Sequence, residues 1–507
     1  MRFAPSPIMF GLLCALASSN VLASGYHFGS QSASAQGTAN ANAAEASDAT
    51  VLFYNPAGMT RLDGTQASGV LNIVVPSTKY SDQGSVTSFG LPISGGDTKK
   101  FVKTTAVPHG YLSHKLSKDL SVGMGVFVPF GSKTEYDNGW AGRYTSLATE
   151  LTTIAFNPSV AYKLSPKLSV GAGLTAQYID GKLVKGADFG SGALGNLINQ
   201  LVAANAAANP GVPVQMIRAT VMNQLSGLVK QASGNPLYSG SVEVQGDDWG
   251  FGFNLGLMYE YDKDTRFGIA YRSSISHQLK GTATWNVATP AGNLATLLNT
   301  ALGSVQPGAG TAVQQRLIAA YKNSDARLNI DTPESLSFNF FKQHERFGVM
   351  GDITWTRHSR FKELRIDFTN PDLLPDSNTP ENWTDTLRAS LGLNYHWSDA
   401  LTLRGGVAFD QSPVNPRNRT ASLPDNDRSW ISAGMNWKLD KKRSIDLAAS
   451  YVHVKAGQID QFDNGGITDA SGSQICDATR NTSSCATTRG RYKLNSLLFG
   501  VQYNQQF

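Results

Sequence analysis

From Trp249 to Tyr261 the chain alternates without a break. Trp249, Phe251, Phe253, Leu255, Leu257, Tyr259 and Tyr261 share one face of an extended strand, and Gly250, Gly252, Asn254, Gly256, Met258 and Glu260 share the other. A side-chain period of two fits a strand and no helix. In a soluble sandwich the greasy face would turn inward. In an outer-membrane barrel it would meet lipid, and the small polar face would line the lumen. The pattern recurs at Phe267–Arg272, Leu387–Trp397 and Leu401–Asp410. It returns at the C-terminus as Leu497, Phe499, Val501, Tyr503 and the terminal Phe507.

Composition decides between the two settings. Charged residues are 16% of the 507, against about 25% in soluble proteins. Glycine is abundant at 50 residues. After residue 23 there is no run of about 18 apolar residues that could span a bilayer as a helix. Aromatics at 9% and a net charge of +5 argue against disorder, and no basic block points to nucleic acid. Fourteen alternating segments are expected, starting near Gln66, Phe101, Asp119, Leu147, Lys167, Val242, Thr265, Arg327, Arg346, Asn382, Leu401, Asp427, Ser444 and Arg491. Their connections alternate between tight polar turns, such as Ser165-Pro166 and Ser398-Asp399, and long loops. Tyr162, Tyr259, Tyr261, Tyr395, Trp397 and Trp437 stand beside the tight turns, as an interfacial aromatic girdle would. The expected fold is all-β: a 14-stranded antiparallel transmembrane β-barrel with short turns at the periplasmic end.

Residues 1–23 read as a signal peptide. Arg2 leads an apolar stretch from Ile8 to Ala17, and Val21-Leu22-Ala23 offers small residues for cleavage. Residues 24–64 do not alternate and are rich in Ala, Ser, Gly, Thr and Asn. Too little apolar bulk is present for them to fold alone, so they are expected to form a luminal plug within the barrel of residues 65–507. The mature chain keeps Cys476 and Cys485, expected to form a local disulfide in an exported protein; two free thiols are the alternative. The long loops 187–241 and 286–326 carry helical periodicity. Leu194, Leu197, Leu201, Ile217, Val221, Leu297 and Leu298 form apolar stripes there, expected to collect a hydrophobe in a surface groove; packing on each other as a cap over the barrel is compatible with that.

Several motifs carry no chemistry here. Gly190-Ser-Gly-Ala-Leu-Gly195 matches a dinucleotide-binding spacing, but no acidic residue lies between Phe189 and Val242. The eight histidines show no zinc-ligand spacing. No nucleophile elbow occurs. Neither a metal, a cofactor nor a catalytic centre is expected.

Longer motifs carry a family resemblance. Asn55-Pro56-Ala57, Val128-Pro-Phe-Gly131, Gly142-Arg-Tyr144, Trp249-Gly-Phe-Gly, Ala270-Tyr-Arg-Ser273, Asp410-Gln-Ser-Pro-Val414 and Leu423-Pro-Asp-Asn-Asp-Arg428 occur in order. Together they resemble the FadL/TodX-type outer-membrane transporters of long-chain fatty acids and other hydrophobic compounds. The resemblance implies a hatch at Asn55, Pro56 and Ala57. It also implies an inward kink at Pro129, Phe130 and Gly131 that opens the wall sideways. Lys185 and Arg365 match basic ligand-binding positions, and Tyr26 matches an aromatic near the ligand. The implied function is passive transport of long-chain fatty acids; import of aromatic hydrocarbons is the alternative within the family. A general diffusion porin or a lipase is the alternative of another class. The implied partners are the hydrophobic solute, outer-membrane lipid and the barrel assembly machinery, with the chain acting as a monomer. By parity, Arg272, Arg388, Arg404, Asp352 and Asp410 are expected to face the lumen and hold the plug.

Overall fold

The computed structural model describes residues 25–304, 306–369, 377–463 and 485–507. The expected signal peptide and Cys476 lie outside the described residues. Cys485 is disulfide-bonded.

One antiparallel sheet of fourteen strands closes on itself. The strands are β1 (Thr65–Asp82), β2 (Thr105–Lys115), β3 (Leu120–Phe127, resuming as Gly131–Glu135), β4 (Ala148–Ser165), β5 (Leu168–Asp188) and β6 (Ser239–Glu260). They continue with β7 (Thr265–Arg272 and Ile275–Asn286), β8 (Ser324–Thr332 and Ser335–His344), β9 (Phe347–Thr356 and Glu363–Phe368) and β10 (Ser377–Pro380 and Thr386–His396). The last are β11 (Leu401–Asp410), β12 (Arg428–Lys438), β13 (Arg443–Val454 and Gly457–Asp463) and β14 (Ala486–Gln506). β14 pairs with β1 from Gln506↔Gln66 to Gly490↔Asp82, so the barrel has no free edge. Among the described residues no helix is long and apolar enough to cross a membrane; the strands do it.

The alternation turns outward as the composition required. Trp249 is 50% exposed and Phe251 76%, while the intervening Asn254 and Met258 are buried. The period of two puts bulk on lipid and leaves the lumen to small side chains. Three expected starts move by four or five residues: β2 begins at Thr105, not near Phe101, β10 at Ser377, not near Asn382, and β14 at Ala486, not near Arg491. Phe101 instead stacks on Tyr136 at 4.8 Å and joins an aromatic cluster with Tyr80, Trp140 and Tyr492, a burial that outweighs strand extension there.

Residues 25–64 fill the lumen. They contribute α1 (Ala33–Gln36), α2 (Val51–Tyr54) and a 3-10 turn at Pro56–Arg61. At the long-loop end, α3 (Phe189–Ala208) pairs with α4 (Val214–Ala232), and α5 (Ala288–Leu302) with α6 (Ala309–Ala320).

Candidate functional site: the plug, the strand break and two cavities

Small side chains let the plug reach the wall. Asn55 caps the 3-10 turn by accepting from the Ala57 N–H at 3.1 Å. Its amide donates to the carbonyls of Leu257 (3.0 Å) and Ile269 (3.3 Å) on β6 and β7. A Cβ on Gly256 or Gly268 would strike the Asn55 side chain, and one on Gly171 would strike the backbone of Pro56 and Ala57. Glycines on the inner face are therefore the socket of the hatch motif.

Charged residues of the wall hold plug carbonyls. Arg266 donates to the carbonyls of Ala44 (3.0 Å) and Glu45 (3.3 Å). Arg272 donates to Phe53 O at 3.0 Å, and Arg388 to Ala39 O at 2.9 Å. Arg404 pairs with Asp446 at 2.6 Å, Asp352 accepts from Asn339, and Asp410 is buried beside them. These residues face the lumen as their parity predicted. Guanidinium-to-carbonyl bonds satisfy plug backbone that would otherwise be buried without partners.

The third strand breaks between Phe127 and Gly131. Pro129 has no N–H for the ladder. The neighbouring strand β2 pairs with β3 only as far as Gly110↔Val126, so Thr105–His109 lack a β3 partner. Residues 26–28 of the plug lie against the broken stretch of β3 through a single β-bridge. Phe28 N–H donates to Pro129 O at 2.9 Å, Gly131 N–H donates to Tyr26 O at 2.7 Å, and His27 bridges Phe130. On the other side Phe130 N–H reaches Thr153 Oγ1 at 3.0 Å.

This segment separates two cavities. The outer one, with an open volume of about 690 Å³, is lined mainly by aliphatic side chains, including Leu151, Leu279, Leu328 and Ile330, with Tyr26 and Phe361. The inner one, about 1070 Å³, is bordered by His27, Phe130, Arg272, Arg388, Arg428 and Asp410 among others. Tyr26 faces the outer cavity. It stacks on Trp383 at 5.3 Å, meets Phe361 edge-on at 6.0 Å, and donates its hydroxyl to Asp331 O at 3.0 Å.

The two expected ligand cations lie elsewhere. Lys185 points inward but pairs with Asp463 at 2.5 Å. Arg365 lies on the outward face of β9, half-exposed, and pairs with Asp367 at 2.8 Å; its neighbour Leu364 lines the outer cavity instead. Strand parity separates adjacent residues in this way, so neither cation borders the cavity. The loop stripes meet one another. Leu194, Leu197, Ile217, Val221 and Leu298 are buried in one cluster, with Leu201 and Leu297 partly buried against it. Their apolar faces pack helix on helix and form the interior of a cap. Two residues passed over in the sequence matter here: Glu381 and Trp383, both buried beside Tyr26 and the outer cavity. Only their buried carboxyl-indole pairing marks them, and no spacing rule encodes it.

A closed barrel with lipid-facing bulk and a filled lumen sets the class: an outer-membrane transport protein. The chain belongs to the outer membrane protein transport family (OMPP1/FadL/TodX), whose model matches residues 14–507. It is 36% identical to an outer membrane protein of Neisseria meningitidis serogroup B over 503 residues, 97% of each chain. It is 29% identical to the long-chain fatty acid transport protein of Escherichia coli K12 over 451 residues, 88% of this chain and 92% of that one. Among solved structures, a Pseudomonas aeruginosa FadL homologue superposes with a TM-score of 0.74 at 21% identity, covering 95% of this chain and all of that one. The Pseudomonas putida toluene transporter TodX gives 0.58 at 20% identity, covering 90% and 94%. The protein passes hydrophobic small molecules across the outer membrane without an energy source of its own.

Proposed function

We propose that the outer cavity receives an uncharged hydrophobe, and that withdrawal of residues 26–28 from the strand break releases it sideways into the membrane. The pairing of Tyr26–Phe28 with Pro129–Gly131 carries this reading, because it makes one short segment both the floor of the apolar cavity and the seal of the wall. Hydrophobic binding needs such a device. At about 0.8 kcal/mol per methylene, a chain of roughly 15 would gain roughly 12 kcal/mol gross, so an unchanging site would hold its ligand too long. The lateral route keeps the solute out of water. The lining is mainly aliphatic and aromatic; of its charged members Glu150, Lys182 and Arg327, Lys182 is already paired with Glu243, and neither Lys185 nor Arg365 takes part. That balance favours the aromatic-hydrocarbon alternative. A relative named for toluene transport has a similar fold.

Long-chain fatty acids are the second reading. The guanidinium groups of Arg272 and Arg388 border the inner cavity, where a carboxylate could be met after the plug moves. Uptake of radiolabelled toluene and oleate by cells lacking their own transporters, with and without this protein, tests both readings. Toluene uptake above background is the expected result. Uptake of neither solute, with the barrel correctly assembled, overturns the proposal.

A further inference from the structure

We infer that Glu381 makes the outer cavity selective for uncharged hydrophobes bearing one hydroxyl group over bare hydrocarbons of the same skeleton. This deepens the proposed transport function and rests on it.

Glu381 sits between the two segments of β10, is 1% exposed, and lines the mainly aliphatic cavity. The Trp383 indole N–H donates to its Oε2 at 3.0 Å, and the Thr420 hydroxyl to its Oε1 at 3.1 Å. A carboxylate offers about four acceptor positions, and the protonated acid adds an O–H donor, so these two donors leave hydrogen-bonding capacity unused in either state. No cation lies within ion-pair distance of it among the described residues. The transport reading does not use this acid. Holding an apolar wall together does not require one, since a hydrophobic residue would do so without the cost of burying a polar group.

Burial pushes the Glu381 carboxyl up to about 8, and its two hydrogen bonds only partly oppose the shift. Near neutrality it is mostly the uncharged acid. The Trp383 indole can donate but not accept. A ligand hydroxyl both donates and accepts, so it complements the carboxyl in either protonation state. A hydrocarbon leaves the acid unanswered.

The test compares para-butylphenol and butylbenzene, which share ring and tail. Binding to the mature protein in lipid nanodiscs is measured by equilibrium dialysis, with empty discs subtracted. The phenol is expected to bind about tenfold more tightly than the hydrocarbon, the size of one hydrogen bond to a buried acid group. Glu381→Gln keeps a donor and an acceptor and should keep the preference. Glu381→Leu should abolish it while leaving butylbenzene binding intact. Equal affinity for phenol and hydrocarbon, or equal weakening of both by Glu381→Leu, overturns the inference. If Glu381→Leu does not fold, the phenol-to-hydrocarbon ratio of the unchanged protein decides alone. Hydrocarbon binding without a phenol preference sinks only the role of Glu381; no binding by any probe sinks the cavity's transport role as well.

Discussion

The two cavities lie on either side of one tripeptide yet are built from opposite materials. The outer one is aliphatic and aromatic, with one buried acid at its edge. The inner one is ringed by guanidinium groups, two of which hold plug carbonyls. The difference teaches where each kind of stabilisation is placed. Apolar burial is non-directional and suits a solute that must enter in many orientations. Hydrogen bonds from rigid guanidinium forks are directional and suit a plug that must return to one position. The segment Tyr26–Phe28 belongs to both, because its backbone pairs with the break in β3 while its rings face different spaces.

Locking that segment should have the largest effect. A His27→Cys/Phe130→Cys pair occupies bridged positions and has the backbone proximity a disulfide requires. Oxidation should reduce uptake at least about tenfold, and reductant should restore it, a factor equivalent to about 1.4 kcal/mol on the opening step. Uptake unaffected by the crosslink would break the link between the two cavities. Next in size, Pro129→Ala supplies the missing N–H and should let β3 run straighter, lowering uptake several-fold while heat-modifiable gel mobility shows an assembled barrel.

Disturbing the hatch should matter next. Asn55→Ala removes two bonds to the wall and the cap of the 3-10 turn, each worth about 1 kcal/mol. Protease accessibility of the plug should rise and uptake should fall, with assembly intact. Gly256→Val, which would collide with Asn55, should do the same more strongly than a valine at Gly69, where nothing is met within 4 Å.

The smallest effect concerns pH. The folded protein holds Glu381 at about 8, above the ordinary 4.5. The raised value means the fold favours the proton. Stability is therefore highest in acid and is lost as pH rises toward and through about 8. The unfolding temperature should fall by a few degrees over that rise, and Glu381→Gln should flatten the slope. An equal slope in the variant would remove Glu381 as the cause.

Much of this was legible in the chain. Period-two alternation fixed which side chains of β6, β10 and β14 meet lipid, since parity is a local property of an extended backbone. The same parity correctly placed Arg272, Arg388 and Arg404 inside. The hatch at Asn55, Pro56 and Ala57 came from the family resemblance, while Pro56 by itself marks only a fixed backbone angle. The ligand positions were not legible. Arg365 and Leu364 are adjacent in sequence but face opposite sides, and Lys185 meets Asp463 from a distant strand.

By itself, then, the sequence determined the class of fold, its orientation toward lipid, the presence of a small-residue plug and the site of the strand break. Tertiary structure alone decided that residues 26–28 close that break, that the loop leucines turn inward on one another, and that Glu381, Trp383 and Tyr26 meet at one cavity. The physical reason is range. Periodicity and turn chemistry act over a few residues, whereas these contacts join separate segments, from about twenty positions apart in the loop helices to several hundred between Tyr26 and Trp383, and only the folded barrel brings them within bonding distance.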